Sequence, residues 1–179
     1  MFSPGDLVIY GGNGVCKVIA VATPEGAEGD KLYYQLCPVY SAETIYAPVD
    51  TGVFMRAVIS RREAEQLIAE IPGIEGAAYS NHNLNLLKAH YEASMQTHDC
   101  GDLMELIKGV HHKNTEAAQH RKKLGQVDQR YLKRAEELLY GELAAVLEIP
   151  RDQVVDYIEA AAKAAEEQAE PADRQGEKQ

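Results

Sequence analysis

Over the first 58 residues, apolar and polar positions alternate in short stretches. Asp6–Tyr10 (DLVIY) and Val15–Ala22 (VCKVIAVA) are rich in β-branched residues. They flank Gly11-Gly12-Asn13-Gly14, where Asn-Gly supplies the positive φ that a tight hairpin requires. After a loop over 23–30, Leu32–Cys37, Glu43–Val49 and Val53–Ile59 follow, punctuated by Pro38, Pro48 and Gly52. Five short strands in this span predict a small barrel of SH3-like or Tudor-like type. A unit of that size is marginally stable alone and is expected to lean on the rest of the chain.

At Ser60 the period lengthens. Ser60-Arg61-Arg62-Glu63 has the form of a capping box, and Ala64, Leu67, Ile68 and Ile71 then fall on one helical face. Pro72-Gly73 stops that helix, and Ser80 is the expected cap of a second with the stripe Leu84, Leu87, Tyr91 and Met95. A third helix is expected from Asp102 to about Leu124, ended by Gly125, with Leu103, Leu106, Ile107 and Val110 inward. Asp128 is the expected cap of a fourth, which buries Leu132, Ala135, Leu139, Leu143 and Val146. After Ile149-Pro150, Asp152 opens a fifth with Val155, Ile158 and Ala162 inward. The expected organisation is therefore two domains, β then α. A small SH3/Tudor-like barrel over 1–58 precedes a compact all-α domain of about five helices over 60–169, and a polar, acidic tail over 170–179 is expected to be disordered.

Charge refines this picture. The 179-residue chain carries −10, but unevenly: residues 1–107 hold 6 basic and 14 acidic side chains, 108–134 hold 8 and 2, and 135–179 hold 4 and 12. One basic island thus lies between two acidic stretches, on the outer faces of two successive helices. An acidic total does not prevent a local positive field from meeting an anion such as a phosphate backbone, although a merely solvated face has the same composition. No apolar run is long enough for a membrane helix, the N-terminal residues lack a signal-peptide pattern, and a cytoplasmic protein with three reduced cysteines, Cys16, Cys37 and Cys100, is expected.

Catalytic signatures are not apparent. There is no GxSxG, HExxH, Walker A or paired CxxC motif, and Gly11–Gly14 joins two strands instead of opening a helix, so it reads as a turn. His98, Cys100, His111, His112 and His120 raise the question of a metal, but only His98 and Cys100 are closely spaced. No metal site, no cofactor and no enzymatic activity are expected.

Several segments together resemble the CarD family of bacterial transcription regulators. They are Phe2-Ser3-Pro4-Gly5-Asp6-Leu7-Val8-Ile9-Tyr10 with Gly14-Val15-Cys16-Lys17-Val18, then Lys31–Tyr34, Glu43–Pro48, Val53–Arg56 and the helical stretch Tyr131–Leu143. The N-terminal module is similar to the polymerase-interacting domain of transcription-repair coupling factor. The resemblance implies a Tudor-like domain that adds its strand edge, here Thr44, Ile45, Tyr46, Ala47 and Pro48, to the β subunit of bacterial RNA polymerase. It also implies a helical domain that contacts promoter DNA at the upstream edge of the melted bubble, without sequence-specific readout and as a monomer. DNA contacts are then expected from Lys122, Lys123, Arg130, Lys133 and Arg134. The Trp with which many members wedge the minor groove falls, on a gapless count, on Leu87, which also fits the core stripe of its helix. The alternative reading is an adaptor whose helical domain meets an acidic protein instead of DNA.

Overall fold

The computed structural model describes residues 1–26 and 29–169; the expected tail over 170–179 lies outside them. Five strands come first: β1 (Leu7–Tyr10), β2 (Val15–Ala22), β3 (Tyr33–Pro38), β4 (Ile45–Pro48) and β5 (Met55–Ala57). They form one antiparallel sheet in the order β4-β3-β2-β1-β5. One face gathers Val8, Tyr10, Cys16, Val18, Tyr34, Leu36 and Ala47 into a single apolar cluster, closed by Phe2, Ile45, Val49 and Met55. Strand alternation produces that face, and a bulge between Val18 and Ala20 leaves Ile19 exposed. The expected β domain followed by a helical domain is what the chain forms.

The β1–β2 connection differs from the expected tight turn. Gly11–Asn13 makes a 3-10 turn, and the positive φ values belong to Gly11 (+45°) and Gly14 (+70°), not to Asn13. Gly11 donates its N–H to Phe54 O at 2.8 Å, and a Cβ there would lie 2.9 Å from Val53 Cγ1. Gly11 thus serves a close approach to the β5 connection.

Five helices follow: α1 (Arg61–Glu70), α2 (Leu84–Gln96), α3 (Cys100–Gln119), α4 (Gln126–Leu147) and α5 (Val154–Ala169). The capping box forms, with Ser60 Oγ accepting from the Glu63 N–H at 3.2 Å and Glu63 Oε2 accepting from the Ser60 N–H at 2.7 Å. Other boundaries move. Asn83, not Ser80, caps α2, and Asp99 caps α3 through Gly101 and Asp102 N–H groups, starting it two residues before Asp102. Gly125 precedes α4 instead of ending α3, and Asp128 turns inward instead of capping. A 3-10 turn over Arg151–Gln153 starts α5 at Val154, which is buried, and leaves Val155 exposed.

Three helices end on non-glycine residues in the left-handed region: His98 (φ 52°) after α2, Arg121 (φ 54°) after α3 and Glu148 (φ 58°) after α4. Lys122 N–H returns to Ala117 O at 2.8 Å and Ile149 N–H to Ala144 O at 3.1 Å, closing the carbonyls of those last turns. The helical core gathers Ala64 and Ile68 of α1, Leu87 and Tyr91 of α2, Leu103, Leu106, Ile107 and Val110 of α3, Ala135, Leu139 and Leu143 of α4, and Val154 of α5. No helix among the described residues is long and apolar enough to cross a membrane.

Candidate functional site

β4 is an edge strand, bonded to β3 alone within the sheet. Val49 donates its N–H to Leu32 O at 3.0 Å, and the register Tyr34↔Ala47 and Leu36↔Ile45 continues from that pair. Ile45 and Ala47 therefore turn their backbone groups toward β3, while Tyr46 turns its N–H and C=O outward and the Pro48 carbonyl accepts the Thr51 N–H at 2.9 Å. Pro48, which has no N–H, stands where no ladder bond is forfeited. Ala47 is buried in the cluster beneath, and the Tyr46 side chain is 54% exposed on the opposite face. Beside Tyr46 runs a groove of about 470 Å3 lined by Ala20, Ala22, Tyr33 and Gln35. An open ladder with an aromatic side chain over it is suited to pairing with an extended segment of another chain.

The basic island divides into cations held inside the fold and cations left outside. Lys108 Nζ donates to Ile71 O at 2.6 Å, and Lys113 Nζ to Asp128 Oδ1 at 2.7 Å and Tyr79 O at 3.1 Å. With His112 Nδ1 at 2.8 Å from Gly76 O, they tie the α1–α2 connection down onto α3. That connection lies close to the helix: a Cβ on Gly109 would stand 2.6 Å from Ala77 O, and one on Gly76 2.3 Å from Gly109 N. Lys122 and Lys123 are exposed in the link between α3 and α4, and Arg130, Lys133 and Arg134 are exposed on α4. The last three line a groove of about 610 Å3 with Met95, Tyr131 and Leu138. Arg134 donates to Gly12 O and, at 3.4 Å, to Glu137, so part of its hydrogen-bonding capacity is already used. Tyr131 is buried, which denies its ring to a stacking base.

Leu87 is 3% exposed within the helical core. Its side chain packs where a wedge could not reach a base step without α2 leaving the domain, so the core placement is the one the fold uses. Leu84, expected in the same buried stripe, is instead exposed at the first turn of α2, as is Leu86.

The junction between sheet and helices is a site that sequence reasoning did not find. Arg56 of β5 makes a bidentate pair with Glu142 of α4, at 2.6 and 2.8 Å, and donates to His98 O through Nε (3.2 Å) and a terminal nitrogen (2.7 Å). Glu142 is 2% exposed, and its Oε1 also accepts the Ile59 N–H at 2.9 Å. Phe54 and His98 stack at 4.2 Å between centroids. Tyr40 donates its hydroxyl to Gly141 O at 2.8 Å, and the Arg151 guanidinium lies over the Tyr40 ring at 4.9 Å.

Burial, then the Arg56 charge, hold His98 below its ordinary value near 6.5. The folded chain therefore favours the neutral ring, and the unfolded chain takes up the proton first as pH falls. The stability from this group is complete above about 6.5 and is lost as pH falls through the folded value. Wild-type stability is expected to decline more steeply than that of His98→Gln in denaturant titrations between about pH 7 and pH 5; equal slopes would show that the ring is not coupled to folding.

The candidate metal residues are not brought together, and no group of three or more His, Cys, Asp or Glu positioned for a metal occurs among the described residues. His98 stacks on Phe54, His111 approaches Glu136 at 3.3 Å and His112 holds Gly76. Burial, then Cys37, pushes the Cys16 thiol up to about 11, and burial, then Glu142, pushes Cys100 up to about 12. Both are held toward the protonated form near neutrality, which weakens them as nucleophiles.

Residues 2–59, about a third of the chain, match the family model described as the CarD-like/TRCF RID domain. The match spans the whole sheet and the junction residues Phe54 and Arg56, and it agrees with the resemblance carried by Phe2–Tyr10 and Glu43–Pro48. No curated protein matches the chain.

Proposed function

We propose that this chain, whose N-terminal sheet is a CarD-like/TRCF RID module, is a transcription regulator. It binds the β subunit of bacterial RNA polymerase through β4 and contacts promoter DNA near the upstream fork through its helical domain, modulating open-complex stability. The module gives the chain a transcription-related, polymerase-interacting role. The finer reading rests on one observation: within Thr44–Pro48 the edge strand β4 leaves the main-chain groups of Tyr46 unpaired and exposes the Tyr46 ring beside them. Ile45 and Ala47 hold the strand to β3 and to the core, Tyr46 faces the partner, and the added strand gains the Tyr46 main-chain bonds with the groove beside that ring for a side chain. Neither role is catalytic, and the protein acts as a monomer in the cytoplasm, on the nucleoid through polymerase.

On the DNA side, Arg130 and Lys133 offer exposed charge from one face of α4, and Lys122 and Lys123 from the link before it. Arg134 contributes to the field while bonded to Gly12. With a net −10 on the chain, affinity for free DNA is weak, and useful binding comes when polymerase holds both partners at high effective concentration.

The full-length Tyr46→Glu variant is expected to bind a purified polymerase β lobe at least about tenfold more weakly than wild type, since a carboxylate at the centre of an added-strand interface must be desolvated. Arg130→Glu/Lys133→Glu is expected to bind the lobe as wild type does. Its polymerase complex should lose affinity for fork-junction DNA and show a salt dependence flatter by about two units of slope. Undiminished lobe binding by Tyr46→Glu would defeat the edge assignment. Salt-insensitive fork-DNA binding unaffected by the charge reversals would transfer the α4 face to an acidic protein partner.

A further inference from the structure

We propose, resting on the functional reading above, that Arg56 and Glu142 are positioning residues that join the two domains into one rigid lever, so that seating β4 on polymerase fixes where the α4 cations stand on DNA. The sheet order places the polymerase-facing strand and the helix-facing strand at opposite edges. Four ladder spacings separate them, roughly 19 Å across hydrogen-bonded backbone. At the β5 edge Arg56 leaves the sheet and spends its donors almost wholly on the other domain: both Glu142 oxygens on α4 and the His98 carbonyl at the end of α2. Glu142 also accepts from Ile59, inside the three-residue link between β5 and α1, so one carboxylate fixes the strand and the connector together.

The helix side of the joint is a single stripe of α4. Arg134, Leu138, Gly141 and Glu142 are spaced i, i+4, i+7 and i+8, and each meets the sheet domain. Arg134 bonds Gly12 O, Leu138 Cδ2 lies 3.3 Å from where Gly14 would carry a Cβ, a Cβ on Gly141 would stand 3.1 Å from the Tyr40 ring, and Glu142 takes Arg56. The crevice between Ile9, Gly14, Arg56, Leu103, Leu138 and Glu142 leaves about 10 Å3, no more than the roughly 10–15 Å3 that a single water needs, and beside it a groove of about 290 Å3 runs between Asn13, Tyr40, Arg134 and Arg151. Arg130 and Lys133 stand on the same helix, one turn before this stripe. A planar, bidentate pair resists rotation where a single point contact would not, which gives the joint its angular definition.

The test uses the full chain in three forms: wild type, Glu142→Gln and Arg56→Lys. In 15N relaxation, sheet and helical-domain amides of the wild type are expected to share one rotational correlation time. Both variants are expected to split it in two, with the sheet domain the faster. Affinity for the purified polymerase β lobe should stay within twofold of wild type because β4 is untouched, while the effect on open-complex lifetime falls by about tenfold as fixed mutual placement is lost. Gly141→Leu, which pries the joint at Tyr40 without stranding a charge, should reproduce the split if either polar variant fails to fold. A single shared correlation time in the variants that fold overturns the inference, and so does a split with undiminished promoter effect. Failure of wild type to bind the lobe would instead remove the functional reading, and the relaxation arm, which needs no polymerase, would still judge the joint.

Discussion

Asp128→Ala is expected to destabilise the protein by about 3 kcal/mol in urea denaturation, against about half of that for Asp128→Asn. The carboxylate is 3% exposed and accepts from Tyr91 Oη at 2.5 Å and Lys113 Nζ at 2.7 Å, joining α2, α3 and the start of α4 at one oxygen. Its other oxygen lies 2.9 Å from where residue 125 would carry a Cβ, so a larger residue there would push against the Asp128 carboxylate. Removing the carboxylate strands a phenol and an ammonium ion in the same pocket. Breaking a buried pair from one side costs about 3–5 kcal/mol. The lower end applies because the Lys113 side chain keeps 18% of its surface exposed and can turn toward water. Asn restores an acceptor for Tyr91 but no charge for Lys113. Burial, then Asp128, hold the Tyr91 hydroxyl above its ordinary value, so the phenol remains a donor throughout the accessible pH range. A loss under about 1 kcal/mol for Asp128→Ala would mean that Lys113 and Tyr91 find water without strain.

Asp128 also marks the limit of what is legible in the sequence. Asp three residues after a glycine, ahead of an apolar stripe, has the local chemistry of a cap, and local chemistry is all that a helix-start pattern reads. Its real partners lie 37 and 15 residues away. Where stability comes from neighbours in sequence, pattern and fold agree, as at the Ser60–Glu63 capping box and along Val8, Tyr10, Cys16 and Val18, whose alternation faces the sheet cluster. The end of α3 departs from its expected position near Leu124, because Arg121, not a glycine, terminates that helix. Arg121 and Glu148 adopt the left-handed conformation with the returning Lys122 and Ile149 N–H bonds, and His98 with its stack on Phe54, against a cost of about 1–2 kcal/mol per residue.

The basic island shows the same divide. Composition counts Lys108 and Lys113 with Arg130 and Lys133, but the first two cap loop carbonyls and a buried carboxylate, and only the second two are left on α4 for an outside anion. The edge proposed to face polymerase rests on resemblance, since nothing in Thr44–Pro48 by itself distinguishes an open strand from a paired one. One signal for the domain joint is present in the sequence. Glu142 falls between Leu139 and Leu143 in the buried register of α4, and a carboxylate at a core position demands a cation.

Replacing that carboxylate provides the second large effect. Glu142→Ala is expected to cost about 3 kcal/mol of domain coupling, because it leaves the Ile59 N–H and the Arg56 guanidinium, whose side chain is 25% exposed, without their acceptor. The loss has a ceiling. Once it exceeds what the joint contributes, the domains part and Arg56 reaches water, so the damage stops at separation and does not spread into either core. Denaturation followed by tyrosine fluorescence and far-UV circular dichroism should therefore change from coincident transitions in the wild type to two separate ones in Glu142→Ala, the sheet domain melting first. The double variant Arg56→Met/Glu142→Met removes both charges and fills the space with apolar atoms, and it should recover most of the lost coupling, since paired buried charges contribute little net stability over a well-packed apolar pair. What the double variant should not recover is angular definition: methionine side chains slide, whereas a bidentate guanidinium–carboxylate pair holds its plane. Stability restored together with a full effect on open-complex lifetime would show that tight packing alone sets the angle; stability restored without that effect would assign the orientation to the ion pair itself.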